Sequence, residues 1–196
     1  MLKVGLTGGI ATGKSYVLGQ FRQRGVPCLD ADQLAHGVTS AGTEATAAIA
    51  ARFGPEILAA DGSVNRKKLG PVVFADPSAR RELEAIVHPA VHRAIAAGIR
   101  GFELLGDPLV IVDVPLLYET GAEKGFDRVI VTACATDRQL ARLVDRGLTV
   151  DAARQRIGAQ WPTEKKAARA DFVIATDGTF EETNAQIDRI HRALIS

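Results

Sequence analysis

Cysteine, net charge and long apolar runs are all scarce in this sequence, and each scarcity excludes a class of protein. The two cysteines among 196 residues, Cys28 and Cys134, match no metal-ligand or redox spacing, which indicates buried, reduced thiols in predicted strands. A net charge of +1 provides no global field favouring nucleic acid or a membrane surface. No apolar stretch approaches the roughly 20 residues of a membrane helix, and no signal peptide is visible, so we expect a cytoplasmic protein.

The feature that is present is a phosphate-binding loop near the N-terminus. Residues 2–7 read as a short apolar strand, and residues 8–15 follow with the pattern G-x-x-x-x-G-K-S. Its glycines allow the backbone N–H groups to turn inward around an oxyanion. Lys14 is expected to reach the β- and γ-phosphates, and the Ser15 hydroxyl is placed to coordinate Mg²⁺.

A chance glycine-rich turn is the alternative, and the context argues against it. After the loop, Val17, Leu18 and Phe21 recur on one face of a predicted helix that stops at Gly25. Strand, loop and helix in this order favour nucleotide binding, but they leave the reaction open.

Acidic residues follow two further predicted strands. Asp30 and Asp32 come after the strand at residues 26–29, and Asp113 lies near the end of an apolar strand at residues 109–114. In open α/β sheets this edge holds the ligand, so the pair fits a site, although Asp32 could also cap the next helix. Asp113 could hold Mg²⁺ directly or through water, or could be a strand-end cap.

The strand–helix alternation lapses at residues 33–106, which predicts a helical insertion with an interruption near His88-Pro89. The alternation returns with strands at residues 128–133 and 171–175. Capping-box spacings, Thr136 with Gln139 and Thr179 with Glu182, predict the starts of two helices.

Arginines at positions 138, 142 and 146 recur every four residues and therefore share one helix face. Most such stripes are solvated surface. One or two of these side chains are nevertheless candidates for closing over phosphates, because guanidinium forks suit phosphoryl oxygens.

These features predict a doubly wound α/β fold with a five-stranded parallel sheet and the activity of a small-molecule kinase. In such a site Asp32 could orient the attacking hydroxyl, while Lys14, Mg²⁺ and an arginine neutralise charge. The sequence lacks the N-K-x-D and D-x-x-G segments of a GTPase and the L-S-G-G-Q of transport ATPases. A nucleoside monophosphate kinase remains the closest competitor.

From end to end, the chain resembles the bacterial dephospho-coenzyme A kinase family. The shared segments are Leu6-Thr7-Gly8-Gly9-Ile10, Gly13-Lys14-Ser15, Gly25-Val26-Pro27, Asp30-Ala31-Asp32, Phe53-Gly54, Asn65-Arg66 with Leu69, His88-Pro89, Pro115-Leu116-Leu117-Tyr118-Glu119, Gln139-Leu140-Ala141-Arg142 with Arg146, Arg156-Ile157 with Gln160, and Ala170-Asp171. The resemblance implies a three-layer P-loop kinase fold that transfers the γ-phosphoryl group of ATP to the ribose 3′-hydroxyl of dephospho-coenzyme A.

Roles follow from the resemblance residue by residue. It implies that Asp32 accepts or orients the hydroxyl proton, that Arg142 is a lid arginine over the phosphates, and that Lys14 joins them in catalysis. The acceptor side is implied to include Thr7, Asp32, Arg66 and His88, and Mg²⁺ is expected at Ser15 and Asp113. The residues expected to bind ATP are Gly8, Gly9, Ala11, Thr12, Gly13, Lys14, Ser15, Tyr16, Arg142 and Arg146.

The implied organisation is one domain. Its core spans residues 1–32, 107–135 and 167–196, the acceptor-binding insertion spans 33–106, and the lid spans 136–166. We expect a monomer, with weak oligomerisation as the alternative, that binds neither nucleic acid nor membrane. Four positions depart from the family pattern. Ala11 and Thr12 stand where glycine and serine are common, which the loop should tolerate if its dihedrals stay negative. His36 replaces an arginine, and Thr176 replaces an asparagine and is expected to loosen nucleotide selectivity.

Overall fold

The five predicted strands form one sheet. In the computed structural model, which describes residues 1–195, they are β1 (Leu2–Gly8), β2 (Cys28–Asp30), β3 (Leu109–Asp113), β4 (Arg128–Ala133) and β5 (Phe172–Ala175). The order is β2-β3-β1-β4-β5, with β1 parallel to β3 and β4, and β4 parallel to β5. The predicted α/β fold is therefore confirmed, and the phosphate-binding loop leaves the central strand.

Helices connect and follow these strands. They are α1 (Lys14–Gln23), α2 (Ala31–Val38), α3 (Glu44–Phe53), α4 (Arg66–Ala75), α5 (Pro77–Leu104), α6 (Thr136–Asp145), α7 (Val150–Gly158), α8 (Thr163–Ala167) and α9 (Phe180–Ile195), with short 3₁₀ turns at Pro55–Ile57 and Ala122–Gly125. Within residues 1–195, none of these helices has both the length and the apolar character needed to cross a bilayer.

The chain divides into two compact units. One contains Met1–Leu29 and the chain from Phe102 onward, and it includes α6, α7 and α8, the segment predicted to form the lid. The other is Asp30–Gly101, which corresponds closely to the helical insertion predicted at residues 33–106.

The core of the first unit is built on the central strand. Val4 and Leu6 of β1 are fully buried, because a parallel strand between two neighbours is covered on both faces. The predicted apolar face of α1 packs against them through Val17, Leu18 and Phe21. Packing of α1 against β1 therefore fixes where the loop between them begins and ends.

The second unit has its own apolar cluster and one helix that the sequence did not predict correctly. Leu83 and Val87 of α5 pack against this cluster, and α5 continues through Pro89 without a break. The predicted interruption at His88-Pro89 is therefore wrong. The helix lacks the N–H donor of Pro89. It stays intact because the turn before the proline packs against the cluster and Ala90, just after it, is buried.

Two predicted capping boxes have different outcomes. At the start of α9, Glu182 N donates to Thr179 Oγ1 at 3.2 Å and Thr179 N donates to Glu182 Oε2 at 2.9 Å, which confirms that box. At α6 the helix begins as predicted, but its N-cap is Ala135 and no side chain caps it. The Gln139 side chain instead bonds outside the helix, to the phosphate-binding loop.

Candidate active site

The loop after β1 surrounds a cavity of about 260 Å³. It is lined by Gly8, Gly9, Ile10, Ala11, Thr12, Gly13, Lys14, Ser15, Tyr16, Pro115, Arg146 and Gln160. Gly13 has a φ of 84° and stands as the N-cap of α1, so the positive end of this ten-residue helix begins at the cavity. Backbone amides and a helix N-terminus around one cavity form an anion site.

Side chains hold the carbonyl groups of the loop. Each carbonyl from residue 8 to residue 12 accepts one side-chain hydrogen bond: Gly8 from Lys166 at 3.4 Å, Gly9 from Thr12 at 2.7 Å, Ile10 from Gln139 at 2.6 Å, Ala11 from Arg142 at 3.0 Å, and Thr12 from Thr176 at 2.9 Å. In a planar trans peptide the next N–H points opposite to the carbonyl. Holding the carbonyls therefore also fixes the direction of the amides that follow them.

Ala11 has a φ of 60°, which makes it the one non-glycine residue of residues 1–195 in the left-handed region. The negative dihedrals on which the expected tolerance of alanine depended are therefore not found. This conformation costs an alanine about 1–2 kcal/mol. Burial of its methyl group beside Leu143 and Ala153, together with the bond from Arg142 to its carbonyl, keeps it there.

Lys14 forms an ion pair with Asp113, whose carboxylate is buried. The parallel register pairs Asp113 with Leu6, two residues before the loop starts, so the two strand ends bring the charges together. Ser15 lies next to Lys14 in the first turn of α1 and is exposed at the cavity. Asp113 and Ser15 are the two residues expected at Mg²⁺.

Arg138 and Arg142 on α6 and Arg146, the C-cap of that helix, have three different environments. The Arg142 guanidinium donates to the carbonyl of Ala11 at 3.0 Å and to the carbonyl of Thr176 at 2.5 Å, behind the loop. Arg146 lines the cavity and is exposed, whereas Arg138 donates to the carbonyl of Asp177 at 2.9 Å. Contact of Arg142 with phosphate stays a prediction.

Thr176 is buried, and its hydroxyl has three partners, one of which is the carbonyl of Ala133 at 3.3 Å. The hydroxyl donates to the carbonyl of Thr12 at 2.9 Å and accepts from Arg142 Nη1 at 3.2 Å. In this chain the residue at the family's asparagine position thus connects the loop to α6. Its effect on nucleotide selectivity stays a prediction.

The two aspartates after β2 differ in their partners. Asp30 is the N-cap of α2, and its Oδ1 accepts from Asp32 N at 2.9 Å and from Gln33 N at 3.1 Å. Asp32 lies in the first turn of that helix, where a carboxylate is stabilised by the helix dipole. The cap is therefore Asp30, and the alternative that Asp32 caps this helix is wrong.

The residues expected on the acceptor side lie in both units. The Thr7 hydroxyl is fully buried and donates to the carbonyl of Pro115 at 3.0 Å. Arg66, at the start of α4, donates to the carbonyl of Ala35 and to Thr39 Oγ1, each at 3.2 Å. His88 is exposed on α5. Their contact with an acceptor stays a prediction.

A second cavity, of about 320 Å³, lies within the Asp30–Gly101 unit. Its lining is mostly apolar and consists of Leu34, Gly37, Val38, Thr43, Glu44, Ala45, Ala90, Arg93 and Ala94. It is larger than the loop cavity but holds none of the residues with a predicted chemical role.

The two thiols are free, as expected. Burial raises the pKa of Cys28 to about 11 against the opposing effect of Arg22, and burial likewise raises the pKa of Cys134. Neither thiol is therefore an activated nucleophile. Among residues 1–195, no three His, Cys, Asp or Glu side chains are grouped as metal ligands.

Three polar side chains at the loop escaped sequence reasoning. Lys166 looked like part of a solvated basic run, and Gln139 like half of a capping box. Gln160, whose Oε1 accepts from Ile10 N at 2.8 Å, was noticed only through the resemblance. No local signal marks Lys166, because the residues within two positions of it are Glu164, Lys165, Ala167 and Ala168.

A parallel sheet, a G-x-x-x-x-G-K-S loop after its central strand and a cavity built by that loop define a P-loop nucleotide-binding protein. The dephospho-CoA kinase family profile matches residues 2–182. The chain belongs to the dephospho-CoA kinase family.

Individual relatives agree with this placement. The dephospho-CoA kinase of Anaeromyxobacter dehalogenans is 48% identical over 191 residues, covering 97% of this chain and 90% of that protein. The structure of TT1252 from Thermus thermophilus superposes with a TM-score of 0.85 at 32% identity and covers 100% of this chain and 98% of that one. The dephospho-CoA kinase from Campylobacter jejuni superposes with a TM-score of 0.75 at 25% identity and covers 98% of this chain and 96% of that one.

Proposed function

We propose that this enzyme transfers the γ-phosphoryl group of ATP to the ribose 3′-hydroxyl of dephospho-CoA, giving CoA and ADP. The observation that carries the proposal is the family match over residues 2–182, which includes the Asp30–Gly101 unit as well as the nucleotide loop. A phosphate-binding loop alone would support only nucleotide binding.

On the ATP side, the loop supplies amides, a helix N-terminus and a cation. Lys14 has a buried partner in Asp113, so its ammonium starts beside the cavity and exchanges this partner for phosphate oxygens when nucleotide binds. Arg146, exposed on the cavity wall, is placed to neutralise charge on the transferring group.

The residues at the loop fit a magnesium ion. Mg²⁺ is bound through one or two protein oxygens plus substrate phosphates and water, so a dedicated cluster of three acids is not required. The donor set here is the Asp113 carboxylate and the Ser15 hydroxyl, both oxygen ligands, and these would hold it. When bound, the ion would neutralise charge on the β- and γ-phosphates.

Asp32 is the proposed general base. Its carboxylate is not the helix cap, because Asp30 supplies that, so Asp32 is available for the acceptor. The 3′-oxygen forms a bond to the γ-phosphorus, the bond from that phosphorus to the bridging oxygen breaks, ADP leaves, and the hydroxyl proton passes to Asp32. Thr7, Arg66 and His88 are the proposed acceptor contacts.

We also propose that the enzyme acts in the cytoplasm as a monomer and binds neither nucleic acid nor membrane. The near-neutral net charge of +1 supports this, because it supplies no long-range attraction to polyanions.

The test is a comparison of acceptors. Purified protein with ATP and Mg²⁺ is given dephospho-CoA, AMP, CMP or UMP, and ADP formation is followed for each. Dephospho-CoA should have by far the highest kcat/KM. A preference for a nucleoside monophosphate would overturn the proposed acceptor and support the nucleoside monophosphate kinase alternative.

A further inference from the structure

Lys166 of α8 is fully buried, which is unusual for a lysine. A buried ammonium needs partners for its three N–H donors. Here all three have one: Glu119 Oε1 at 2.8 Å, the carbonyl of Pro115 at 3.1 Å and the carbonyl of Gly8 at 3.4 Å. Its charge is thus satisfied inside the protein rather than at the surface.

Two of these three acceptors belong to the wall of the phosphate cavity. Gly8 is the last residue of β1 and the first of the loop, and Pro115 follows β3, the neighbouring strand. The Pro115 carbonyl also accepts from Thr7 Oγ1 at 3.0 Å. One ammonium therefore joins the ends of two adjacent strands and sets the plane of the Gly8–Gly9 peptide, where the loop begins.

Glu119 compensates the charge of Lys166. Burial acts to raise the pKa of the Glu119 carboxyl, but hydrogen bonds from Lys166 and from the Trp161 backbone N–H, at 3.0 Å, outweigh it and leave that pKa below its ordinary value. A well-packed apolar pair can replace many buried ion pairs without loss of stability. An apolar pair could not, however, supply the bonds to the two carbonyls at the cavity.

We propose that Lys166 is a positioning residue for the phosphate-binding loop: it holds the Gly8 carbonyl, and with it the first peptide of the loop, in the orientation that meets nucleotide phosphates. Lys166 contacts no reacting atom itself. The inference rests on the proposed use of ATP by this site.

The test separates loop positioning from charge compensation with three variants. Lys166→Met keeps an apolar stem but removes the ammonium. Lys166→Met with Glu119→Gln also removes the orphaned carboxylate while keeping an oxygen for the Trp161 N–H. Lys165→Met is the control for a change on the same helix, at an exposed position where the ammonium lies 3.7 Å from the centroid of the Trp161 ring. Tm is measured by circular dichroism, ATP affinity by titration calorimetry, and KM and kcat by ADP release.

The Lys166→Met variant should have a lower Tm than the parent and should bind ATP at least about 10-fold more weakly, as expected for loss of a charge-assisted bond. The double variant should recover most of the Tm but not the affinity, with KM for ATP raised and KM for the acceptor unchanged. Lys165→Met should keep the ATP affinity of the parent and lose only the small stabilisation from its cation–π contact with Trp161. Recovery of both Tm and affinity in the double variant, or unchanged affinity in folded Lys166→Met, would overturn the proposal. Calorimetry with ATP needs no acceptor, so this result stands even if dephospho-CoA is not the substrate.

Discussion

Gly8→Ala is a sharp test of how tightly the loop is packed. A Cβ atom at Gly8 would lie 2.2 Å from Thr132 Oγ1, 2.6 Å from Thr12 Oγ1 and 2.8 Å from the carbonyl oxygen of Thr132. The two hydroxyls can rotate, but the carbonyl belongs to β4, so either the strand or the loop must move. Overpacking of this kind costs about 1–3 kcal/mol.

This strain should lower both stability and ATP affinity. For a chain of this size, 1 kcal/mol corresponds to about 2–4 °C, so we expect Tm to fall by about 2–12 °C. If the displaced loop loses one hydrogen bond to a phosphate of ATP, ATP binding should weaken by about 10- to 100-fold, since a charge-assisted bond contributes about 1.5–3 kcal/mol. Differential scanning calorimetry and titration calorimetry measure the two quantities.

Gly19→Ala is the matched control. Gly19 lies inside α1, and a Cβ there would meet nothing within 4 Å. The change should therefore raise the free energy of unfolding by about 0.5–1 kcal/mol through helix propensity and leave ATP affinity unchanged. A Gly8→Ala protein with the Tm and ATP affinity of the parent would refute the close packing described here.

Thr176→Val should reduce the free energy of unfolding by about 1–3 kcal/mol in urea denaturation, because a buried carbonyl loses its donor; unchanged stability would contradict the link. Arg142→Ala should lower both Tm and ATP affinity. Arg146→Ala should leave Tm unchanged and lower kcat by about 10³-fold in steady-state assays, as for other transition-state arginines. The reverse pattern would exchange the roles of the two arginines. Asp32→Asn should lower kcat by about 10²-fold or more, while Asp30→Asn should mainly cost about 1 kcal/mol of stability. A silent Asp32→Asn would remove it as the base.

Signals that are local in sequence predicted the fold well. The strand, glycine loop and amphipathic face of α1 lie within about 20 consecutive residues, so the residue pattern that determines them can be recognised in a single short segment. The box formed by Thr179 and Glu182 is local in the same way. Family resemblance then supplied the acceptor, which no local pattern contains.

Contacts distant in the chain could not be predicted in this way. Lys166 is separated from Gly8 by 158 positions, and Thr176 from Thr12 by 164, so their partners depend on the completed sheet. A basic run resembles solvated surface until the fold buries one of its members. The positive φ of Ala11 likewise depends on burial of its methyl group beside α6 and α7, which competes with the local preference of alanine.

The most direct test of the central claim is the position of the transferred phosphate. Dephospho-CoA, ATP and Mg²⁺ are incubated with the purified protein, and the product is examined by ³¹P NMR and mass spectrometry. We expect one added phosphoryl group, as a monoester on the ribose 3′-oxygen, in amounts equal to the ADP formed. Phosphate on another atom, or ADP formed only by hydrolysis, would contradict the account.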